Sequence, residues 1–202
     1  MDQPAPLRSE YKRQKRAKRR GEVLDAAAAT FAEHGYYAAT MQDIAARLGM
    51  RPGSLYHYFR SKEEALAEVC RLGGHAFVET MREICAADRP ARERLLEAIT
   101  AHLAEDWRDY VSNFTLHRMA VPESVAPEMA QIARDYLALW VDLVRQGQVT
   151  GEIASDLDPR TTATALVGMC NGAAAAFPPP RAAGAGVAER LFGLFLEGAA
   201  AR

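Results

Sequence analysis

Apolar residues recur at helical spacing along nearly all of the 202-residue chain, and no segment sustains the period-two alternation of a half-buried strand. That pattern restricts the fold to packed helices. From Arg20 onward, Val23, Leu24, Ala27, Ala28 and Phe31 form one stripe, and Gly35 is a natural stop. Thr40 with Asp43 resembles a capping box, Asp standing in for Glu. It opens a short helix over 41–48 with Met41, Ile44, Ala45 and Leu48 inward, closed by Gly49. Pro52 suits the first position of another short helix, running through Leu55 to about Tyr58. Ser61 and Glu64 make a full capping box ahead of a long helix whose inward set is Leu66, Val69, Cys70, Gly73, Phe77, Met81 and Ile84. Further helices are predicted over about 91–109, 112–120, 124–148, 159–176 and 185–200, divided by proline and glycine breaks. The expectation is an all-α chain of about nine helices.

The formal net charge of −1 hides a division. Residues 1–62 hold twelve Lys and Arg against six Asp and Glu, whereas the remainder is acidic by seven. A basic head on an acidic body fits a phosphate-binding module joined to a domain of another kind. With 49% hydrophobic residues the chain is neither disordered nor a disulfide-stapled miniprotein. Cys70, Cys85 and Cys170 are odd in number and far apart, which fits free thiols in a reducing cytoplasm and gives no zinc spacing. The polar, basic start lacks the apolar core of a signal peptide, and no 18-residue apolar run is present. A soluble cytoplasmic protein without membrane attachment is expected.

Residues 40–59 carry the chemistry. Two short helices around Gly49 are the layout of a helix-turn-helix, the second helix of which reads the major groove. Ala45 is small where the helices cross, and Ile44, Leu48, Leu55 and Phe59 can form a small core against Phe31. Pro52, Gly53 and Ser54 keep the start of the reading helix slim. Candidate DNA contacts are Thr40, Arg51, Ser54, Tyr56, His57, Tyr58 and Lys62. Arg51 suits a bidentate contact to guanine, while Thr40, the tyrosine hydroxyls and Lys62 suit phosphates. Phe59 reads as a packing residue, Tyr58 fits packing and phosphate contact equally, and His57 fits the groove or open solvent. Residues 1–17 read as a flexible arm whose cations, with those through Arg20, add salt-sensitive affinity and can enter the minor groove.

The runs Thr40-Met41-Gln42-Asp43-Ile44-Ala45, Leu48-Gly49-Met50, Gly53 through Phe59 and Ser61 through Leu66 closely resemble the DNA-binding domain of TetR-family transcriptional regulators. The segment Ala26 to Gly35 matches that family's first helix, so the likeness spans about 18–66. It implies a homodimer with three head helices and a divergent C-terminal ligand-binding domain. It also implies phosphate contacts from Thr40, Tyr56 and Lys62 and base contacts from the 51–58 helix. Arg51-Pro52 departs from the small polar residues more usual there, and Pro52 offers no side-chain donor.

The division expected is an arm over 1–17, a DNA-binding domain over 18–65, and a ligand-binding and dimerisation domain over 66–202. In the body no nucleophile–base pattern, phosphate loop or metal-ligand spacing is present, so neither an enzyme nor a cofactor is expected. Asp158 reads as the N-cap of the helix at Pro159. His102, Trp107, Phe114, His117, Arg118, Tyr136 and Trp140 place polar groups on apolar faces and are the candidate effector contacts. Leu166, Cys170 and Ala173, with Val187, Leu191, Leu194 and Phe195, are the candidate dimer face, which the resemblance casts as a four-helix bundle. The function expected is a ligand-responsive homodimeric regulator, a repressor released from a palindromic double-stranded operator by a small hydrophobic effector. The alternative is a ligand-independent DNA-binding or architectural protein.

Overall fold

A computed structural model describes residues 8–103, 123–176 and 186–199, and all eight helices named below lie within these. The chain divides into two compact units, residues 1–69 and 70–202, so the boundary follows Val69, four residues beyond the expected Ala65. The predicted helix over 112–120 lies outside the described residues.

The first unit holds α1 (Arg8–Ala38), α2 (Met41–Arg47), α3 (Pro52–Leu55) and the start of α4 (Lys62–Ala86). Helix α1 starts well before Arg20, which corrects the expected flexible arm over residues 8–17; residues 1–7 of that arm lie outside the described residues. The stretch from Arg8 to Arg20 is Lys, Arg, Gln, Glu and Ala apart from Ser9 and Tyr11, with no proline or glycine, and is compatible with continuing a helix already nucleated by the buried stripe. Gly35 breaks α1 with φ +74°, a region costly for other residues. The core is Val23, Leu24, Phe31, Ile44, Ala45, Leu55, Phe59 and Leu66, all buried as expected. Gly49 takes φ +61° and reverses the chain between α2 and α3.

The second unit holds the rest of α4, then α5 (Ala91–His102), α6 (Ala126–Val149), α7 (Pro159–Ala176) and α8 (Val187–Ala199). Helix α6 packs on α5 and α7, and α8 packs on α5 and α7. Asp158 caps α7 as expected, accepting from the Thr161 backbone N–H at 2.7 Å. In the same connection between α6 and α7, Glu152 accepts from the Ala91 and Arg92 N–H groups at the start of α5, at 3.0 and 2.9 Å. Those bonds, led by that from Arg92, hold its carboxyl below the usual range. Helix α4 approaches α6 closely at Gly74, where a Cβ would lie 2.9 Å from Ile132, and Arg71 grips both oxygens of Glu128 beside it.

Candidate functional site

The reading unit is built from local bonds. Thr40 caps α2: its Oγ1 accepts from the Asp43 N–H at 3.2 Å and donates to Asp43 Oδ2 at 2.6 Å, while the Thr40 N–H donates to the same carboxylate. The side-chain bond from Thr40 is the main reason the Asp43 carboxyl titrates below its usual range. A carboxyl with a lowered folded pKa stabilises above its unfolded pKa of ~3.9 and ceases to do so as pH falls through the lower folded value. The melting temperature of the head is therefore expected to decline on acidification below about pH 4, and Asp43→Asn should flatten that part of the curve. An identical profile in the variant would refute this role.

Helix α3 is a single turn ending at Leu55, shorter than the predicted run to Tyr58, but its bonding continues as Tyr58 N–H to Leu55 O at 2.8 Å and Phe59 N–H to Leu55 O at 3.2 Å. Arg51, Tyr56 and His57 are exposed, Tyr56 by 54%, and Ser54 is half-buried. The Arg51 guanidinium makes no hydrogen bond among the described residues. Tyr58 is half-buried with its hydroxyl beside the Arg19 guanidinium, so it also serves packing. Ser61 accepts from the Glu64 N–H at 3.1 Å, and the Glu64 carboxylate returns to the Arg60 N–H, one residue earlier than the predicted box.

Lys62 departs from expectation. Its Nζ donates to the carbonyls of Tyr36, Ala39 and Tyr37 at 2.7, 2.9 and 3.2 Å, and it stands 4.5 Å from the centre of the Tyr36 ring. All three ammonium protons have acceptors within the protein. A phosphate contact by this residue would have to displace one of them.

In the second unit a cavity of about 100 Å³ is lined by Phe77, Thr80, Met81 and Ile84 of α4, Ala98 and Ala101 of α5, and Tyr136 of α6. Of the expected effector residues, Tyr136 is in this wall. His102 is buried and both ring nitrogens are engaged: Nδ1 with the Tyr136 hydroxyl at 2.9 Å and Nε2 with Asn171 Oδ1 at 2.8 Å. It ties α5 to α6 and α7, which corrects its reading as a free polar anchor. Trp140 is fully buried, edge-on to Tyr136 and His102, and its Nε1–H has no acceptor among the described residues. Trp107, Phe114, His117 and Arg118 lie outside the described residues. Phe77, Met81 and Ile84 belong to the inward set of α4 read from periodicity, which cannot tell a cavity wall from solid core. Arg94 went unnoticed; it is buried, donating to Cys85 O at 2.8 Å and Gln146 Oε1 at 2.5 Å.

The expected dimer face needs correcting in part. Leu166 and Cys170 are each 1% exposed within one chain, and Ala173 and Val187 are also buried. Their apolar surface is already used by packing inside the unit, and burial pushes the Cys170 thiol up to about 12. Leu191 and Phe195 are half-buried, whereas Leu194 is 64% exposed and Ala165, Gly168 and Gly172 lie open on α7.

Residues 23–69 match the family model of bacterial regulatory proteins of the tetR family, and residues 88–179 that of the tetracyclin repressor-like C-terminal domain. The HTH-type transcriptional repressor KstR2 of Rhodococcus jostii is 34% identical over 144 residues, covering 69% of this chain and 70% of that protein. The chain belongs to the TetR family. Like those relatives it is a helix-turn-helix transcriptional regulator and not an enzyme. The structure of the ketosteroid transcriptional regulator KstR2 of Mycobacterium tuberculosis superposes with a TM-score of 0.77 at 28% identity, over 91% of this chain and 96% of that one. Fold alone is shared with FadR from Bacillus subtilis in complex with stearoyl-CoA: TM-score 0.70, 22% identity, 88% of this chain and 97% of that one.

Proposed function

We propose that this TetR-family regulator is a homodimeric repressor whose operator affinity falls when an apolar effector enters the cavity of the second unit. The observation that carries this reading is the cavity wall. Phe77, Thr80, Met81 and Ile84 belong to α4, the same helix that begins at Lys62 in the DNA-reading unit. An effector that bound differently to two positions of α4 would change the spacing of two reading heads. Heads about 34 Å apart fit successive major grooves, and a change of a few ångströms spoils that fit. Tyr56 is assigned to phosphate and Arg51 to a base edge, with Ser54 and His57 beside them, while the donors of Thr40 are taken by Asp43.

The dimer contact is assigned to the open faces of α7 and α8, with Leu194 against the small residues Ala165, Gly168 and Gly172 of a second copy. The effector is assigned to apolar molecules carrying a carbonyl, such as acyl thioesters. Support comes from the largely apolar wall and from the Trp140 Nε1–H, a buried donor behind the wall residue Tyr136 with no acceptor among the described residues. Trp140→Phe removes that donor along with some volume, so unfolding stability should stay within about 1 kcal/mol of wild type. The same variant should bind a carbonyl-bearing effector about tenfold more weakly, the loss of roughly one hydrogen bond. Equal affinity in both proteins would remove Trp140 from the site. The function as a whole is tested by footprinting the full chain on the duplex it selects from a random-sequence pool, with and without stearoyl-CoA. A palindromic footprint that the thioester relieves is expected; a footprint indifferent to a thioester that binds would favour a ligand-independent DNA-binding protein.

A further inference from the structure

The last turn of α1 contains no basic residue, although a helix C-terminus carries partial negative charge and unsatisfied carbonyls. Gly35 interrupts α1 at φ +74°, and the carbonyls of Tyr36, Tyr37 and Ala39 follow this break. The first residue of α4 provides the missing cation. Lys62 Nζ reaches all three carbonyls at 2.7, 3.2 and 2.9 Å and lies 4.5 Å from the Tyr36 ring centre. The residue after Ala39 is Thr40, whose hydroxyl and N–H bond to Asp43 and set where α2 begins. One ammonium thus holds the corner between α1 and α2 to the start of α4.

We infer that Lys62 is a positioning residue, the clamp that fixes the α1–α2 corner and through it the reading unit, and that it is not a phosphate ligand. This rests on the head being the DNA-binding unit. The clamp depends on geometry as well as charge. An ammonium is a compact point that can face three carbonyls converging on it, whereas a guanidinium is a planar fork. Arginine therefore keeps the charge but not the clamp.

The full chain is compared with Lys62→Met and Lys62→Arg. Without DNA, both variants should lower the melting temperature of the head by several degrees, and amide exchange at residues 36–40 should quicken by tenfold or more. On the duplex selected by wild type, both should bind at least fivefold more weakly. The slope of log K against log salt for Lys62→Met should stay within about 0.3 of wild type, because no phosphate contact is lost. A phosphate ligand gives the opposite set: an unmoved melting temperature, a slope shallower by about 0.9 in Lys62→Met, and wild-type affinity restored by arginine. Any of those three results overturns the clamp. Should wild type fail to bind DNA, the functional reading falls, while the DNA-free arm still decides the clamp. Should Lys62→Met fail to fold, the wild-type Lys62 ammonium resonance decides it. Slow proton exchange unchanged on adding DNA supports the clamp, and loss of protection on adding DNA overturns it.

Discussion

Replacing Phe59 by alanine is expected to unfold the DNA-reading head while leaving the unit beyond Val69 folded, and so to abolish DNA binding. Phe59 is 1% exposed and packs in a core that has few other large side chains, among them Phe31, Ile44, Leu55 and Leu66. Truncating such a residue costs about 3–5 kcal/mol, lost transfer free energy plus the cavity left behind. A unit of this size has a total stability of only a few kcal/mol. Calorimetry of the full chain should show the transition of the head move below room temperature or vanish, with the remaining transition in place. Filter binding should show loss of affinity to the non-specific level. Retention of operator binding by a folded Phe59→Ala head would contradict the packing described for it.

The second large effect is expected at the other end of the head. Deleting residues 1–17 removes Arg8, Lys12, Arg13, Lys15 and Arg16. The described part of this stretch is helical from Arg8, and Lys15 and Arg16 are exposed. If three of these cations neutralise phosphates, the slope of log K against log salt becomes shallower by about 2–3. Affinity near 0.15 M salt should then fall roughly 10- to 1,000-fold for specific and unrelated duplexes alike, because phosphate contacts carry no sequence information. Equal slopes for the full and shortened chains would show that the basic stretch does not touch DNA.

Much of the head was legible because its signals are local. The boxes at Thr40–Asp43 and Ser61–Glu64, Pro52 at the start of α3 and Gly49 at the turn each act within four residues, and the structure forms them as read, with Glu64 returning to Arg60. The carbonyl partners of Lys62 were not legible because they lie 23 to 26 residues away, and a lone lysine at a helix start carries no mark of them. The arm was misread because a charge run looks solvated in any conformation, and only its continuity with the buried stripe of α1 makes it helical. In the body, periodicity found the buried faces but not what each one meets. Leu166 and Cys170 were given to a partner chain when α7 needs them inside the unit, and His102 was given to an effector when Tyr136 and Asn171 hold it. Tertiary contacts of that kind have no spacing rule.

The central claim is that occupancy of the cavity and operator affinity are coupled. It is tested most directly by measuring the dissociation constant of the full chain for its selected duplex with and without a saturating effector. The effector is taken as the compound that most raises the melting temperature in a panel of acyl thioesters of differing chain length. A coupling of 1–3 kcal/mol, the usual range for two linked sites, corresponds to a weakening of about 5- to 150-fold. That weakening is the result expected. A compound that saturates the protein and leaves the dissociation constant for the duplex unchanged would contradict the account.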